Sequence, residues 1–102
     1  MKPVDLQMHT TASDGIYDPK KIIDLSLEKN MKVIAITDHD SVDGIKKAID
    51  YANGKIIEFV PGIELSCYEA SYGRTIDILG LFIDYTNKEL IEFIERDHII
   101  ID

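Results

Sequence analysis

Hydrophobic and polar positions along the chain predict an alternation of strands and helices. Val4–Met8 reads as a short strand, and the polar, turn-rich stretch His9–Asp18 as a loop. Asp18 followed by Pro19 is a helix start, an N-cap residue and then proline at the first helical position. Ile22, Ile23, Ser26 and Leu27 repeat with helical spacing up to about Asn30. Val33–Thr37 is a continuous apolar run, which suits a strand buried on both faces of a parallel sheet. After the loop Asp38–Gly44, Ser41 is placed to cap a second helix. In it Ile45, Ala48, Ile49 and Ala52 recur at i, i+3, i+4 and i+7, and Gly54 is placed to end it. Lys55–Val60 predicts a third strand, broken by Pro61-Gly62. Ile63–Tyr68 and Thr75–Ile83 predict a hairpin around Ser71-Tyr72-Gly73. Thr86-Asn87-Lys88-Glu89 has the form of a capping box opening a third helix through about Arg96. The apolar residues Ile99, Ile100 and Ile101, between Asp97-His98 and Asp102, begin a further strand.

This order predicts an α/β fold with a parallel core, in which the C-terminal strand ends share one face. With 102 residues the chain is one small domain spanning 1–102. A sheet this short leaves unpaired edges. The expectation is therefore a portion of a larger fold, or a chain that self-associates to cover those edges.

Composition narrows the function classes. The net charge is −8, from 11 basic and 19 acidic residues. Such a chain lacks the basic footprint of a nucleic-acid-binding module. Carboxylates gathered around divalent ions are the exception, because the bound metal turns them into a phosphate-attracting site. The longest apolar runs fall far short of a membrane span, and the N-terminus has no apolar secretory stretch. Cys67 is the only cysteine, so no intrachain disulfide forms and a cytoplasmic location is expected.

Four clusters carry chemistry: Asp5-Leu6-Gln7-Met8-His9-Thr10-Thr11-Ala12-Ser13-Asp14-Gly15, Ile36-Thr37-Asp38-His39-Asp40-Ser41, Pro61-Gly62-Ile63-Glu64-Leu65-Ser66 and Thr75-Ile76-Asp77-Ile78-Leu79-Gly80. Imidazoles and carboxylates at strand ends are the donor set for borderline and hard divalent metals. Each cluster alone reads blandly: His9 as a loop histidine, Asp14-Gly15 as a turn, Glu64 as a solvated carboxylate. Their order together is far more specific.

Together the clusters resemble the PHP (polymerase and histidinol phosphatase) superfamily, in particular its small phosphoesterase branch, from Val4 to about Asp84. That branch carries Asp-Leu-His-X-His-Thr-X-X-Ser-Asp-Gly, Ala-X-Thr-Asp-His-Asp, Pro-Gly-X-Glu-X-Ser and His-X-Leu-Gly. The resemblance implies the N-terminal portion of a distorted seven-stranded β/α (TIM-like) barrel with a multinuclear site at the strand C-termini. Full members are over twice as long, and their later part supplies at least one more histidine and a closing Asp-X-His. By the resemblance His9 is a ligand of a first metal, Asp14 and His39 bind a second, and Glu64 bridges two. Asp38 and Asp40 flank His39 and orient its ring or the attacking water, as outer carboxylates do; Asp38 reads equally as a helix-leading carboxylate near Ser41. The implied activity is hydrolysis of phosphoric esters with divalent manganese, zinc or iron, on a small phosphate monoester or a nucleic-acid end.

Two positions depart from the pattern. Gln7 stands where the family has the first histidine of His-X-His, and an amide is a poor ligand for zinc or iron. Asp77 replaces the histidine of His-X-Leu-Gly; aspartate still ligates but shifts preference toward harder ions. Its plainer reading is a solvent-facing strand residue. Ser13 and Arg74 are candidate phosphate contacts, read otherwise as a turn hydroxyl and a hairpin charge. Tyr17, Tyr68 and Tyr72 have no spacing that requires a site, Cys67 reads as a packing residue, and His98 has a favourable place near a helix end but no role. The departures and the short length predict impaired or absent activity in this chain alone. The alternative is a non-catalytic PHP-derived structural or binding module.

Overall fold

The computed structural model describes residues 3–95 and 99–101. Eight elements follow in order: β1 (Val4–Met8), α1 (Pro19–Glu28), β2 (Val33–Ile36), α2 (Ile45–Ala52), β3 (Glu58–Glu69), β4 (Arg74–Leu81), α3 (Lys88–Glu95) and β5 (Ile99–Ile101). The sheet runs β1-β2-β3-β4, with β5 also paired to β3. β1, β2 and the first half of β3 are mutually parallel, β4 is antiparallel to the second half of β3, and β5 runs parallel to its last residues. The result is a mixed α/β fold built on a curled half-barrel of strands. The third helix's expected end at Arg96, and His98, lie outside the described residues.

Local signals explain most of the boundaries. Asp18 caps α1 by accepting from the Lys21 N–H at 2.9 Å. The helix closes with two backward bonds, Asn30 N–H to Leu27 O and Met31 N–H to Ser26 O. Asn30 between them takes a positive φ of 57°, the left-handed closure that asparagine tolerates. The other two caps differ from expectation. Ser41 accepts from the Asp43 N–H in a local turn, and Gly44 stands at the α2 N-cap without a side-chain bond. Asn87, one residue after Thr86, caps α3 through Leu90 N–H at 2.9 Å, while the Thr86 hydroxyl turns back to Asp84.

The break expected at Pro61-Gly62 does not occur, and β3 is one strand of 12 residues beginning at Glu58. Strand hydrogen bonding alternates with a period of two. Glu58 N–H donates to Lys32 O and Glu64 N–H to Asp38 O, so even-numbered residues bond toward β2. Pro61 is odd. Its missing N–H falls on the opposite side, beyond the Gly62–Leu81 pair that ends the β4 ladder, where no strand bond is forfeited. Gly62 is required by close approach: a Cβ there would lie 2.7 Å from the Thr37 methyl and 3.0 Å from Gly80 O. β4 likewise stops at Leu81, before the expected Ile83, because Phe82 turns to a positive φ of 57°.

The same period assigns the two faces of the sheet. Ile34 and Ile36 point into a core with Ile23 of α1 and Ala48 and Ala52 of α2, joined by Met8 and Phe59. Their sequence neighbours Gln7 and Thr37 therefore face the other way, as do Gly62 and Glu64. Burial fixes the helices on one face and by alternation presents the polar residues on the other.

Candidate metal centre

His9 lies one residue past β1, Asp14 in the β1–α1 loop, His39 just past β2 and Glu64 in mid-β3. Backbone bonds bring the last two together. Glu64 N–H donates to Asp38 O and Asp40 N–H donates to Glu64 O, at 3.1 and 2.9 Å. This extends the β2–β3 pairing just far enough to set His39 opposite Glu64. Asp40 makes the turn out of that pairing with a φ of 48°, a conformation aspartate tolerates better than most residues.

Asp38 is the support of the opposite wall. It is 2% exposed, and its carboxylate accepts from Thr10 N–H and the Thr10 hydroxyl at 2.6 Å each and from the Ser13 hydroxyl at 2.7 Å. The loop that carries His9 and Asp14 is thereby tied to the end of β2. Gly15 folds back over its start: a Cβ there would lie 2.3 Å from His9 O, closer than non-bonded atoms approach. Thr10, wholly buried, had no role in the sequence reading. Its position directly after His9 was the available signal, but a threonine in a polar loop is common.

The four side chains form a closed ring. Glu64 lies 3.5 Å from His9 Nε2 through Oε1 and 3.0 Å from His39 Nδ1 through Oε2. Asp14 lies 3.0 Å from His9 Nδ1 and 3.3 Å from His39 Nε2. The two rings stand 4.4 Å apart between the carboxylates. Glu64 is buried, the histidines are partly covered, and the Asp14 side chain is 63% exposed. Gln7 also reaches the ring: its Nε2 donates to Glu64 Oε1 at 2.9 Å.

The remaining candidates sit elsewhere. Asp40 Oδ1 accepts from Ser66 N–H. Asp77 pairs with Ser66 and Leu79 with Glu64, so Asp77 shares the Glu64 face one pair further along β4 and is exposed. Arg74 is at the hairpin end, 3.4 Å from Glu69 and stacked over Tyr72. Ser13 spends its hydroxyl on Asp38. Cys67 is buried, and burial first, then the negative charges of Asp40 and Asp77, push its thiol pKa up.

The residues present fit a divalent ion. One donor atom each from His9, His39 and Glu64 lie within 4.8 Å of one another. Ligands around a tetrahedral ion with bonds of about 2.1 Å are separated by roughly 3.4 Å, close to the Glu64–imidazole distances already present. His9 Nε2 is buried without a hydrogen-bond partner, and such an atom is costly unless something fills its lone pair or takes its proton. Two nitrogens and one carboxylate are a donor set for borderline and hard divalent metals. Among the described residues, no helix is long and apolar enough to cross a membrane.

Comparison with known proteins agrees with this geometry. The chain is 36% identical over 94 residues to the 5'-3' exoribonuclease Rnm of Escherichia coli K12, covering 90% of this chain and 31% of that protein. It is 38% identical over 85 residues to a 3',5'-nucleoside bisphosphate phosphatase of Chromobacterium violaceum, covering 82% and 29%. A crystal structure from Bifidobacterium adolescentis, assigned as a metal-dependent phosphoesterase, superposes with a TM-score of 0.82 at 20% identity, covering 92% of this chain and 32% of the other. The chain spans about a third of the length of the curated relatives it matches. A model of the PHP domain matches residues 5–100, and the chain belongs to the PHP domain family.

Proposed function

We propose that this chain carries the N-terminal share of a divalent-metal phosphoester hydrolase site, in residues 1–102 of what is, in whole proteins of the family, a seven-stranded β/α barrel. The observation that carries the reading is the convergence of His9, His39 and Glu64 within 4.8 Å. An ion held there would supply Lewis-acid activation of a phosphoryl group and of water. The chain's own residues do the rest. His9 and His39 supply nitrogen donors and Glu64 an oxygen donor, Asp14 lies beside both rings, and Asp38 keeps the His9 loop docked through three hydrogen bonds. The substrate class is a phosphate ester, a small phosphate monoester or a nucleic-acid end, in keeping with relatives named as a 5'-3' exoribonuclease and a 3',5'-nucleoside bisphosphate phosphatase.

A second reading, a binding module without catalysis, is favoured by Gln7, whose amide occupies part of the Glu64 carboxylate. Retention of manganese after desalting, in the chain and in His39→Ala, tests the metal reading. Retention by the chain and loss in the variant is expected; a folded chain that keeps no ion sinks it. Hydrolysis of p-nitrophenyl phosphate and of a 5'-phosphorylated oligonucleotide then separates the two readings. Turnover of either rules out the module, and metal retention without turnover rules out the hydrolase for this chain.

A further inference from the structure

The geometry points to the free edge of β4 as the surface on which a second copy of this chain docks, strand against strand. It stands apart from the metal reading above. Among the described residues, every buried one lies between Thr10 and Cys67, and neither β4 nor α3 contributes any. Yet Ile78 and Leu79 in β4 are 44% and 42% exposed, and Phe82 just beyond it 76%. Among the described residues β4 is paired on one side only, to β3. A strand edge is a row of unpaired N–H and C=O groups, which proteins protect with proline, lysine or a bulge. β4 has none of the three, and its residues pair with β3 in an unbroken register. The opposite edge of the sheet, β1, is five residues long and irregular between Asp5 and Met8. β4 is therefore the edge open to a further strand.

The phase of the sheet selects the partner and the register. Odd-numbered residues of β3 bond toward β4, so their partners Arg74, Ile76, Ile78 and Gly80 spend their backbone groups on β3. Thr75, Asp77 and Leu79 turn theirs outward. Two copies of β4 laid antiparallel about a two-fold axis bond through these odd residues, so the register moves only in alternate steps. A centre on Asp77 sets like charges directly opposite, which is destabilising. A centre on Ile76 overlaps only residues 74–78, and one on Leu79 only residues 77–81. A centre on Ile78 overlaps residues 75–81 and places Asp77 opposite the partner's Leu79. It also sets Ile78 against its own copy at the close, non-hydrogen-bonded position. The same strand on a second copy thus meets this edge with its bonds in phase, an apolar pair at the axis and no like charges opposed.

The test is sedimentation equilibrium of the metal-free chain from micromolar to millimolar concentration. Residues 75–81 are fewer than the roughly 20–30 a side of a standard interface, so the dimer dissociates on dilution. The mass should rise with concentration from that of one chain toward that of two. Leu79→Pro replaces an outward N–H with a ring and leaves the β3 ladder intact. It should remain a monomer with an unchanged circular dichroism spectrum. Ile78→Cys, oxidised with diamide, should give a disulfide-linked dimer, because Cα atoms at such a pair lie within disulfide reach; Ile76→Cys should not. A chain that is monomeric throughout leaves β4 to a different segment or partner and overturns the proposal. So does a dimer that survives in Leu79→Pro with neither cysteine variant cross-linked. Linkage through Ile76→Cys alone overturns the register.

Discussion

Asp38→Asn is the substitution that most directly probes how the metal loop is held. The carboxylate accepts three hydrogen bonds, two from Thr10 and one from Ser13, and is 2% exposed. Asparagine has almost the same shape but one acceptor oxygen. Thr10 N–H and the Ser13 hydroxyl share Oδ1, so both survive on the amide oxygen as neutral bonds. A charged acceptor contributes about 1.5–3 kcal/mol per bond and a neutral one about 0.5–1.5, a loss of roughly 1 kcal/mol each. The third bond fails differently. The Asn NH2 faces the Thr10 hydroxyl, which already accepts from Ala12 N–H, so its own proton is left without an acceptor, at about 1–2 kcal/mol. The sum is about 3–4 kcal/mol, a large part of the ~5–15 kcal/mol that holds a domain together. Urea unfolding of the metal-free chain followed by circular dichroism reads it directly. With a slope near 1.5 kcal/mol per M, the midpoint falls by about 2 M. Ser13→Ala, which removes one bond, is the control and should cost about 1 kcal/mol. A midpoint shift for Asp38→Asn no larger than that of Ser13→Ala would refute the reasoning, because the two Thr10 bonds would then contribute nothing.

Gly15→Ala places a methyl 2.3 Å from His9 O; the backbone must move, at about 1–3 kcal/mol, and manganese affinity should fall with thermal stability, a loss of neither counting against the close approach. Asn87→Ala removes the cap on Leu90 N–H and should cost about 1 kcal/mol in urea unfolding while leaving metal content unchanged. The Cys67 thiol, raised by burial and by Asp40 and Asp77, stays neutral in the fold at pH values where the unfolded thiol ionises. Its contribution to stability is unaltered below the ordinary thiol range and declines as pH rises through it. Native Cys67 should accordingly react with a thiol-directed disulfide reagent at pH 8 far more slowly than in 8 M urea, and equal rates would contradict its burial.

The order of elements was legible in the sequence because it depends on local periodicity and local punctuation. Asp18-Pro19 starts α1, Val33–Ile36 is a buried parallel strand, and the Asp38-His39-Asp40 segment follows that strand's end, whereas Gly62-Ile63-Glu64, expected beyond a strand break, lies in mid-β3. The identities of His9, His39 and Glu64 as a group were also available, because residue type and order survive in the chain whatever the fold does. Sequence could not determine which residues share a hydrogen-bond partner. Pro61-Gly62 reads as a breaker, yet the strand continues, because the side on which proline lacks its N–H is set by β2 and the end of β4. Ser41 and Thr86 look like caps, and the helices start at Gly44 and Asn87, since loop geometry decides which residue meets the first free N–H groups. Asp38 beside His39 reads equally as site chemistry and as a helix-leading carboxylate, and only the fold brings Thr10 and Ser13 to it across 25 residues or more. Gln7 reads as a lost ligand, and only the pairing of β1 with β2 and of β2 with β3 shows that its amide reaches Glu64. Local propensity depends on neighbours a few residues away, whereas the division of labour among six polar side chains depends on a register fixed over the whole sheet.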